Sequence, residues 1–381
     1  MTRDEELELI AECLQLVRDR QPFICADETL VPVAKYLDPE RFRAELGLFR
    51  QSMNIVGHVS EVPHPGDFIT RDLAGTPAII VRQNDSSLKA FVNVCRHRGA
   101  RVELRTTGHC RRFVCPYHAW TYDTDGSLAL VRHAEGFPGL DVQGTSLVEL
   151  RCIQAGGLVW VCPDPSANGS DLDASSQTII GDLDWLGSPA SCVFAKEDKV
   201  WRANWKLIVD GGLESYHFKI AHRSSIASFF ADNISTYRFF GDHIRSVLPR
   251  LSIVELLQRP ESEWNIREHS HLLYSIAPNA SVLVQERHLD LILADPVSIE
   301  ETRVQILSLA PAPPVDGRSE KERAFLDANH AFTKQTLHED FALAEHIQAG
   351  MASGANEHFR FARFEGALSE WHRRLDERLP T

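Results

Sequence analysis

Apolar residues change their spacing along the chain, and each change predicts a different element. In "MTRDEELELIAECLQLVRDR", Leu7, Ile10, Leu14 and Val17 recur every three or four positions, the period of an amphipathic helix. Thr2 followed by Glu5 supplies a capping-box pair at its start. "DPERFRAEL" predicts a second helix entered through Pro39, so residues 1–48 read as N-terminal helices packed on a neighbour. From about 50 to 163 the texture becomes short runs such as "PAIIVRQ", "LKAFVNV", "RRFVCP", "AWTYD" and "GGLVWVCP". These runs are broken by "PHPGD", "QNDSS" and "DTDG", and predict a small antiparallel β domain over 49–163. "PDPSANGSDLDASSQTIIG" (163–181) reads as a linker or surface loop. Beyond it, "SHLLYSIAPNASVLVQERHLDLILADP" and "ETRVQILSLAPAPP" predict strands. The stretch from "RSEKERAF" to Gly350 predicts one long helix, and "ALSEWHRRLDERL" a terminal one. There is no internal repeat.

Composition adds bounds. The chain has 381 residues, room for two domains or three. Its 40 Lys and Arg stand against 53 Asp and Glu, a net charge of −13 that argues against a nucleic-acid binder or a ligand of anionic membranes. No apolar run is long enough to span a bilayer, and no basic stretch precedes an apolar one, so neither membrane insertion nor a secretory signal is expected. Under those conditions the eight cysteines are expected to be reduced thiols or metal ligands in a cytoplasmic protein.

Two constellations carry chemistry. The first is Cys95-x-His97, an interval of 17 residues, and Cys115-x-x-His118, each pair following a strand-like run and therefore sitting at a loop tip. Two thiolates and two imidazoles suit a closed zinc site or a [2Fe-2S] Rieske cluster with thiolates on one iron and imidazoles on the other. Zinc fingers more often pair like residues in each arm; one of each per arm favours the cluster. Cys110 reads as a loop or buried thiol. The second is "NWKLIVDGGLESYHFKIAH", which offers His217 and His222 with Asp210 and Glu214 nearby. Two histidines and a carboxylate make the facial triad of non-haem iron(II). Positions five apart lie about 140° apart on a regular helix, so His217 and His222 call for a distortion such as a π-bulge. Glu214, three before His217, shares its face and suits holding that imidazole from behind.

"NVCRHRGARV…CPYHAWTYDTDGSL" resembles the Rieske domain of Rieske non-haem iron oxygenases, with Ala119 where that family usually has Gly. The resemblance runs from about residue 38 to the end. It implies the terminal oxygenase (alpha) component of the ring-hydroxylating and quaternary-amine oxygenases. The implied fold class is α+β: a small all-β Rieske domain (49–163) plus a catalytic domain (164–381) whose antiparallel sheet is wrapped by helices in a helix-grip arrangement. Cys95, His97, Cys115 and His118 would hold the cluster. His217 and His222 would hold mononuclear Fe(II), with "TLHEDFALAEHIQAGM" pointing to Asp340 as third ligand. Glu339 is the adjacent competitor, ahead of Asp327 and Glu345. Glu214 takes the position of the acid that bridges to a Rieske histidine of the next subunit. Most members have Asp there, and Glu resembles the quaternary-amine branch. Asp210 stands where Asn is frequent, with a catalytic role. A homotrimer is implied.

No G-x-G-x-x-G follows a strand, so NAD(P)H would act only indirectly, through a separate reductase and in some systems a ferredoxin. The implied reaction consumes O2 and hydroxylates a small organic substrate, an aromatic ring or aromatic acid. The alternative is oxidative demethylation or monooxygenation of a quaternary or methylated amine. A third reading is a Rieske electron carrier or a zinc-stabilised binding protein. Phe229, Phe230, Tyr237, Phe239 and Tyr274 are candidate pocket aromatics, for a ring or for cation–π contact with a methylated ammonium. Arg238 and Arg245 are candidate partners of a substrate carboxylate.

Overall fold

The computed structural model describes residues 1–167, 172–314 and 316–379. Packing divides the chain into Gly47–Leu172 and a second unit that joins Met1–Leu46 to Asp173–Thr381. The first boundary falls inside the helix Pro39–Gln51.

In the first unit, strict alternation sends successive side chains of a strand to opposite faces. Within Thr76–Arg82, Ile79 and Val81 enter one buried cluster while Ala78 and Ile80 enter another. Its neighbours repeat the division, with Phe68 against Ile69 and Phe91 against Ala90. One five-stranded antiparallel sheet therefore separates two cores. Its order is Glu149–Leu150, Leu88–Val92, Thr76–Arg82, Asp67–Leu73, Thr107–His109. A three-stranded sheet of Cys152–Ala155, Leu158–Val161 and Asn54–His58 covers one core through Val56, Val159 and Val161. Another, of Arg112–Val114, Thr121–Asp123 and Leu128–Leu130, covers the other through Phe113, Tyr122 and Leu128. Cys95, Cys115 and Trp120 are buried in that second core.

The other unit is built on a seven-stranded antiparallel sheet. Its order is Ser191–Trp201, Glu301–Pro311, Leu289–Ser298, Ala280–Val284, Ser270–Ile276, His243–Pro249, Thr236–Phe240. Leu289 to Pro296 are buried without alternation, so both faces of that strand are covered. The long helix Glu320–Met351, capped by Ser319, packs on Ser191–Trp201 and Glu301–Pro311. The helix Arg3–Asp19 packs on His243–Pro249 and carries the Thr2–Glu5 capping box. Its buried stripe is Glu6, Leu9, Ile10, Cys13 and Leu14. The fold class is α+β, and among the described residues no helix is long and apolar enough to cross a membrane.

Two expectations are corrected. The N-terminal segment is not wholly helical: Thr29–Pro32 is a strand paired antiparallel with His358–Phe361. Four residues with a partner some 330 positions away leave no periodic trace. Nor is all of 163–181 a linker. Ala174–Trp185 is a helix, with the Asp173 side chain accepting the Ser176 amide (2.8 Å) and Ile179, Ile180 and Leu183 buried. The Asp-Ala-Ser-Ser sequence is an N-cap and first turn rather than a loop. The part of that linker at 168–171 lies outside the described residues.

Candidate functional site

The loops at Cys95 and Cys115 share one backbone scheme. The Cys95 amide donates to the Ala100 carbonyl (2.8 Å) and the Gly99 amide donates back to the Cys95 carbonyl (3.0 Å). The Cys115 amide donates to Trp120 (2.9 Å) and the Ala119 amide to Cys115 (3.0 Å). Each loop closes through a left-handed residue four after its cysteine, Gly99 at φ 77° and Ala119 at φ 60°. Both thiols are buried, and burial raises Cys115 above the ordinary thiol range. The Tyr122 hydroxyl accepts the Arg96 amide (2.9 Å) and lies 3.3 Å from Cys95 Sγ. The His97 and His118 rings lie 4.7 Å apart, and Trp120 stacks on His97 at 4.9 Å and 9°. His118 Nδ1 is buried without a hydrogen-bond partner.

An inward, unpartnered imidazole nitrogen beside two buried thiols fits a metal cluster. The spacing also bears on which one. A tetrahedral ion with bonds of about 2.0–2.3 Å holds its donors within about 4 Å of one another. Among the described residues, the group of three or more His, Cys, Asp or Glu whose ligand atoms all lie within 4.8 Å is His217, His222 and Asp340. The four donors of the two loops are not drawn to one point, which suits two metals and disfavours a single zinc.

Residues 204–222 do not form one distorted helix. A helix Trp205–Asp210, capped by Asn204, ends before Gly211 and Gly212. A separate single turn, Phe218–Ala221, has His217 and His222 as its flanking residues. The expected π-bulge is thus replaced by a break. His222 leaves the turn at φ −99° and ψ 25°, which swings its ring towards His217. The two Nε2 atoms are 3.2 Å apart, and Asp340 Oδ1 lies 3.3 Å from His217 Nε2 and 2.8 Å from His222 Nε2. Asp340 comes from the long helix.

Carboxylates hold each imidazole from behind. Glu214 Oε1 takes the His217 Nδ1 position, and its Oε2 accepts the His217 amide at 3.1 Å. Glu339 Oε2 lies 2.7 Å from His222 Nδ1 and accepts the Ser225 hydroxyl at 2.6 Å. Burial pulls His217 down, but hydrogen bonds to Asp340 and Glu214 outweigh it and raise the group to about 10. His222 is likewise raised against burial by Asp340 and Glu339, and Asp340 is lowered against burial by both imidazoles. Three acids drawn to two imidazoles form a site that calls for positive charge, which protons or a divalent cation supplies. The residues fit iron(II), with His217, His222 and Asp340 as the donors that would hold it.

Asp210 stands apart from this trio. It accepts from the Tyr36 hydroxyl (2.7 Å) and lies 3.0 Å from His372 Nε2. Glu345 accepts the Arg202 amide (2.9 Å). Glu339, weighed in the sequence as a rival ligand, instead faces the far side of His222. Neighbouring helix positions diverge by about 100°, so Glu339 and Asp340 reach opposite edges of one ring.

A cavity of about 270 Å³ opens beside His222, Glu214 and Asp340. Phe218, Phe229, Phe230, Phe332, Leu273 and Ile226 supply apolar wall. Tyr237, Phe239 and Tyr274 are not part of its lining among the described residues. Arg238 pairs with Glu12 (2.6 Å) and Arg245 with Asp182 (2.7 Å), so neither expected arginine is available to a substrate. Arg250 also lines the cavity and was missed by the sequence reading.

A family model described as ring hydroxylating alpha subunit (catalytic domain) matches residues 190–381, and one described as Rieske [2Fe-2S] domain matches 52–143. The chain belongs to the ring-hydroxylating alpha-subunit family. It therefore combines the Rieske [2Fe-2S] domain and the non-haem iron catalytic domain of an oxidoreductase family. The carnitine monooxygenase oxygenase subunit of Acinetobacter pittii is 34% identical over 219 residues, 55% of this chain and 55% of that protein. The glycine betaine monooxygenase oxygenase subunit of Chromohalobacter salexigens is 32% identical over 212 residues, 54% of this chain and 45% of that protein. The chain thus spans about half the length of the curated relatives it matches. A quaternary ammonium Rieske monooxygenase solved in complex with L-carnitine has a similar fold, with TM-score 0.75 and 24% identity over 92% of this chain and 96% of that one.

Proposed function

We propose that this protein is the terminal oxygenase of a quaternary-amine monooxygenase. It would take electrons from a separate reductase in the cytoplasm and place one oxygen atom of O2 on the substrate. The observation that carries the reading is the meeting of His217, His222 and Asp340 at the mouth of an apolar, aromatic-rich cavity. Bound there, iron(II) supplies O2 activation, and the Rieske cluster supplies electrons one at a time.

The chain's own residues do the rest. Glu214 and Glu339 fix the ring planes of His217 and His222, so the donors point inward. Phe218 and Phe230 supply apolar wall that would exclude water and, with Phe229, rings for a trimethylammonium group. These features, with the carnitine and glycine betaine monooxygenase relatives and Glu in place of the commoner Asp at 214, favour the amine over the aromatic ring named first from the sequence. Glu214 would also carry electrons between subunits of a homotrimer, bridging His217 to a Rieske histidine of a second copy.

The test is a substrate panel on iron-replete, chemically reduced protein, with O2 uptake measured against product. L-carnitine, γ-butyrobetaine, glycine betaine, benzoate and naphthalene span the alternatives. O2 uptake matched to product from a quaternary amine supports the reading. Coupled turnover of the arenes alone overturns it in favour of ring hydroxylation, and no coupled uptake leaves an electron carrier.

A further inference from the structure

The cavity beside His222 and Asp340 contains one cation without a counter-ion. Arg250 lies just past the strand His243–Pro249, held by its amide to the His269 carbonyl (2.8 Å). Its guanidinium lines the cavity and donates from Nη2 to His271 Nε2 at 3.0 Å. Among the described residues no carboxylate lies within ion-pairing distance of it; Glu286 acts on it only through space. Arg238 and Arg245, by contrast, each have an acid in contact. The cavity's own acids, Glu214 and Asp340, are committed to the imidazoles.

The state of His271 follows from Arg250. A guanidinium has no acceptor, so His271 Nε2 must accept and its proton sits on Nδ1. Burial, then Arg250, pulls His271 down to about 3, so the ring is neutral at neutral pH. It braces the arginine without adding charge. A partly buried guanidinium in an apolar wall carries a desolvation cost that an incoming anion offsets.

We propose that Arg250, braced by His271, is the carboxylate anchor of this cavity and selects for substrates that carry one acid group. The inference rests on the reading that this cavity receives the substrate. It narrows the substrate class to acids, and among quaternary amines to zwitterions. A line of ring contacts separates the two ends of the wall: His271 to Phe230 (4.6 Å), Phe230 to Phe218 (5.5 Å) and Phe218 to His222 (5.4 Å). A carboxylate on Arg250 would therefore lay the substrate's body along Phe230 and Phe218, with its far end at His222 and Asp340. In that orientation Arg250 meets the carboxylate of a trimethylammonium acid, and the Phe230 and Phe218 rings meet its cationic body.

The test uses the whole protein and pairs of ligands that differ only in the acid, γ-butyrobetaine and its methyl ester first. Binding is read by calorimetry, and KM and kcat by coupled turnover. Arg250→Gln should weaken the acid by about 10- to 100-fold, while the ester changes less than about threefold. KM should rise more than kcat falls, and Arg250→Lys should recover part of the loss. Equal loss for acid and ester, or an unchanged acid, overturns the anchor. If the wild-type protein binds neither amine, the quaternary-amine reading fails and the pair becomes benzoate and methyl benzoate. Selective loss of benzoate in R250Q then still supports the anchor, and failure of the wild-type protein to bind either acid overturns it.

Discussion

Glu339 and Asp340 are consecutive residues of one helix, yet they grip opposite nitrogens of one ring: Glu339 Oε2 is 2.7 Å from His222 Nδ1 and Asp340 Oδ1 is 2.8 Å from its Nε2. Glu339 therefore fixes which nitrogen is free for a metal. Glu339→Ala should weaken mononuclear iron binding by about 10- to 100-fold, the range for loss of a ligand's hydrogen-bond partner. Iron titration of the stripped protein measures it. The Rieske absorption should be unchanged, and a variant that binds iron as tightly as wild type would remove Glu339 from the site.

The helix that leads into this site is tied down by a buried ion pair. Lys206 Nζ contacts both oxygens of Glu45 (2.8 and 2.6 Å), and Trp205 Nε1 donates to the same carboxylate at 2.9 Å. Both charged side chains are 1% exposed. Glu45→Ala leaves an unpaired buried ammonium and should cost about 3–5 kcal/mol. Urea denaturation should show a lower midpoint. The double change Glu45→Leu, Lys206→Met should recover most of the loss, because the cost lies in the orphaned charge rather than in the missing pair.

Local patterns were legible in the sequence and non-local ones were not. The alternating runs at 76–82 and 88–92 announced their strands, and the Thr2–Glu5 pair its cap, because each signal sits within a few residues. The Cys95-x-His97 and Cys115-x-x-His118 spacings were visible for the same reason, and the structure places both pairs on matched loops. Thr29–Pro32 was missed because its partner comes from the far end of the chain. The π-bulge expected between His217 and His222 is absent because the two residues flank a single short turn, Phe218–Ala221, rather than sit inside a helix. Asp340 was reached only through family resemblance, since no spacing rule connects it to His222. Arg250 left no signal at all: a lone Arg just past a strand resembles any other until the cavity is seen.

Glu214 accepts from the Tyr216 and His217 amides and contacts His217 Nδ1, and its loss should separate holding a metal from using it. His217 keeps Asp340 as its partner when Glu214→Ala removes the carboxylate behind it. With excess iron(II) supplied to offset the weaker hold on His217, metal analysis should still find roughly three irons per chain, two in the cluster and one in the triad. Turnover should nonetheless fall by about 100-fold, as positioning and the proposed bridge are lost together. Rapid mixing of the reduced variant with O2 and substrate should show slow reoxidation of the cluster. Reoxidation at the wild-type rate would exclude Glu214 from the electron path.

The two cluster loops offer matched experiments on backbone strain. Gly99 and Ala119 occupy the same left-handed position, at φ 77° and φ 60°, but only Ala119 carries a Cβ. A left-handed non-glycine residue costs about 1–2 kcal/mol, while glycine adds about 0.4–1 kcal/mol of chain entropy to the unfolded state. Ala119→Gly should therefore stabilise the protein by about 0.5 kcal/mol, the difference between those terms. Gly99→Ala meets no atom within 4 Å of the new Cβ, so only the backbone term opposes it. It should destabilise by a similar amount of opposite sign. Thermal loss of the cluster's visible absorption reads both, since Cys95, His97, Cys115 and His118, its proposed donors, sit in these loops. A lower melting temperature for Ala119→Gly would show that the Ala119 side chain contributes packing that outweighs its strain.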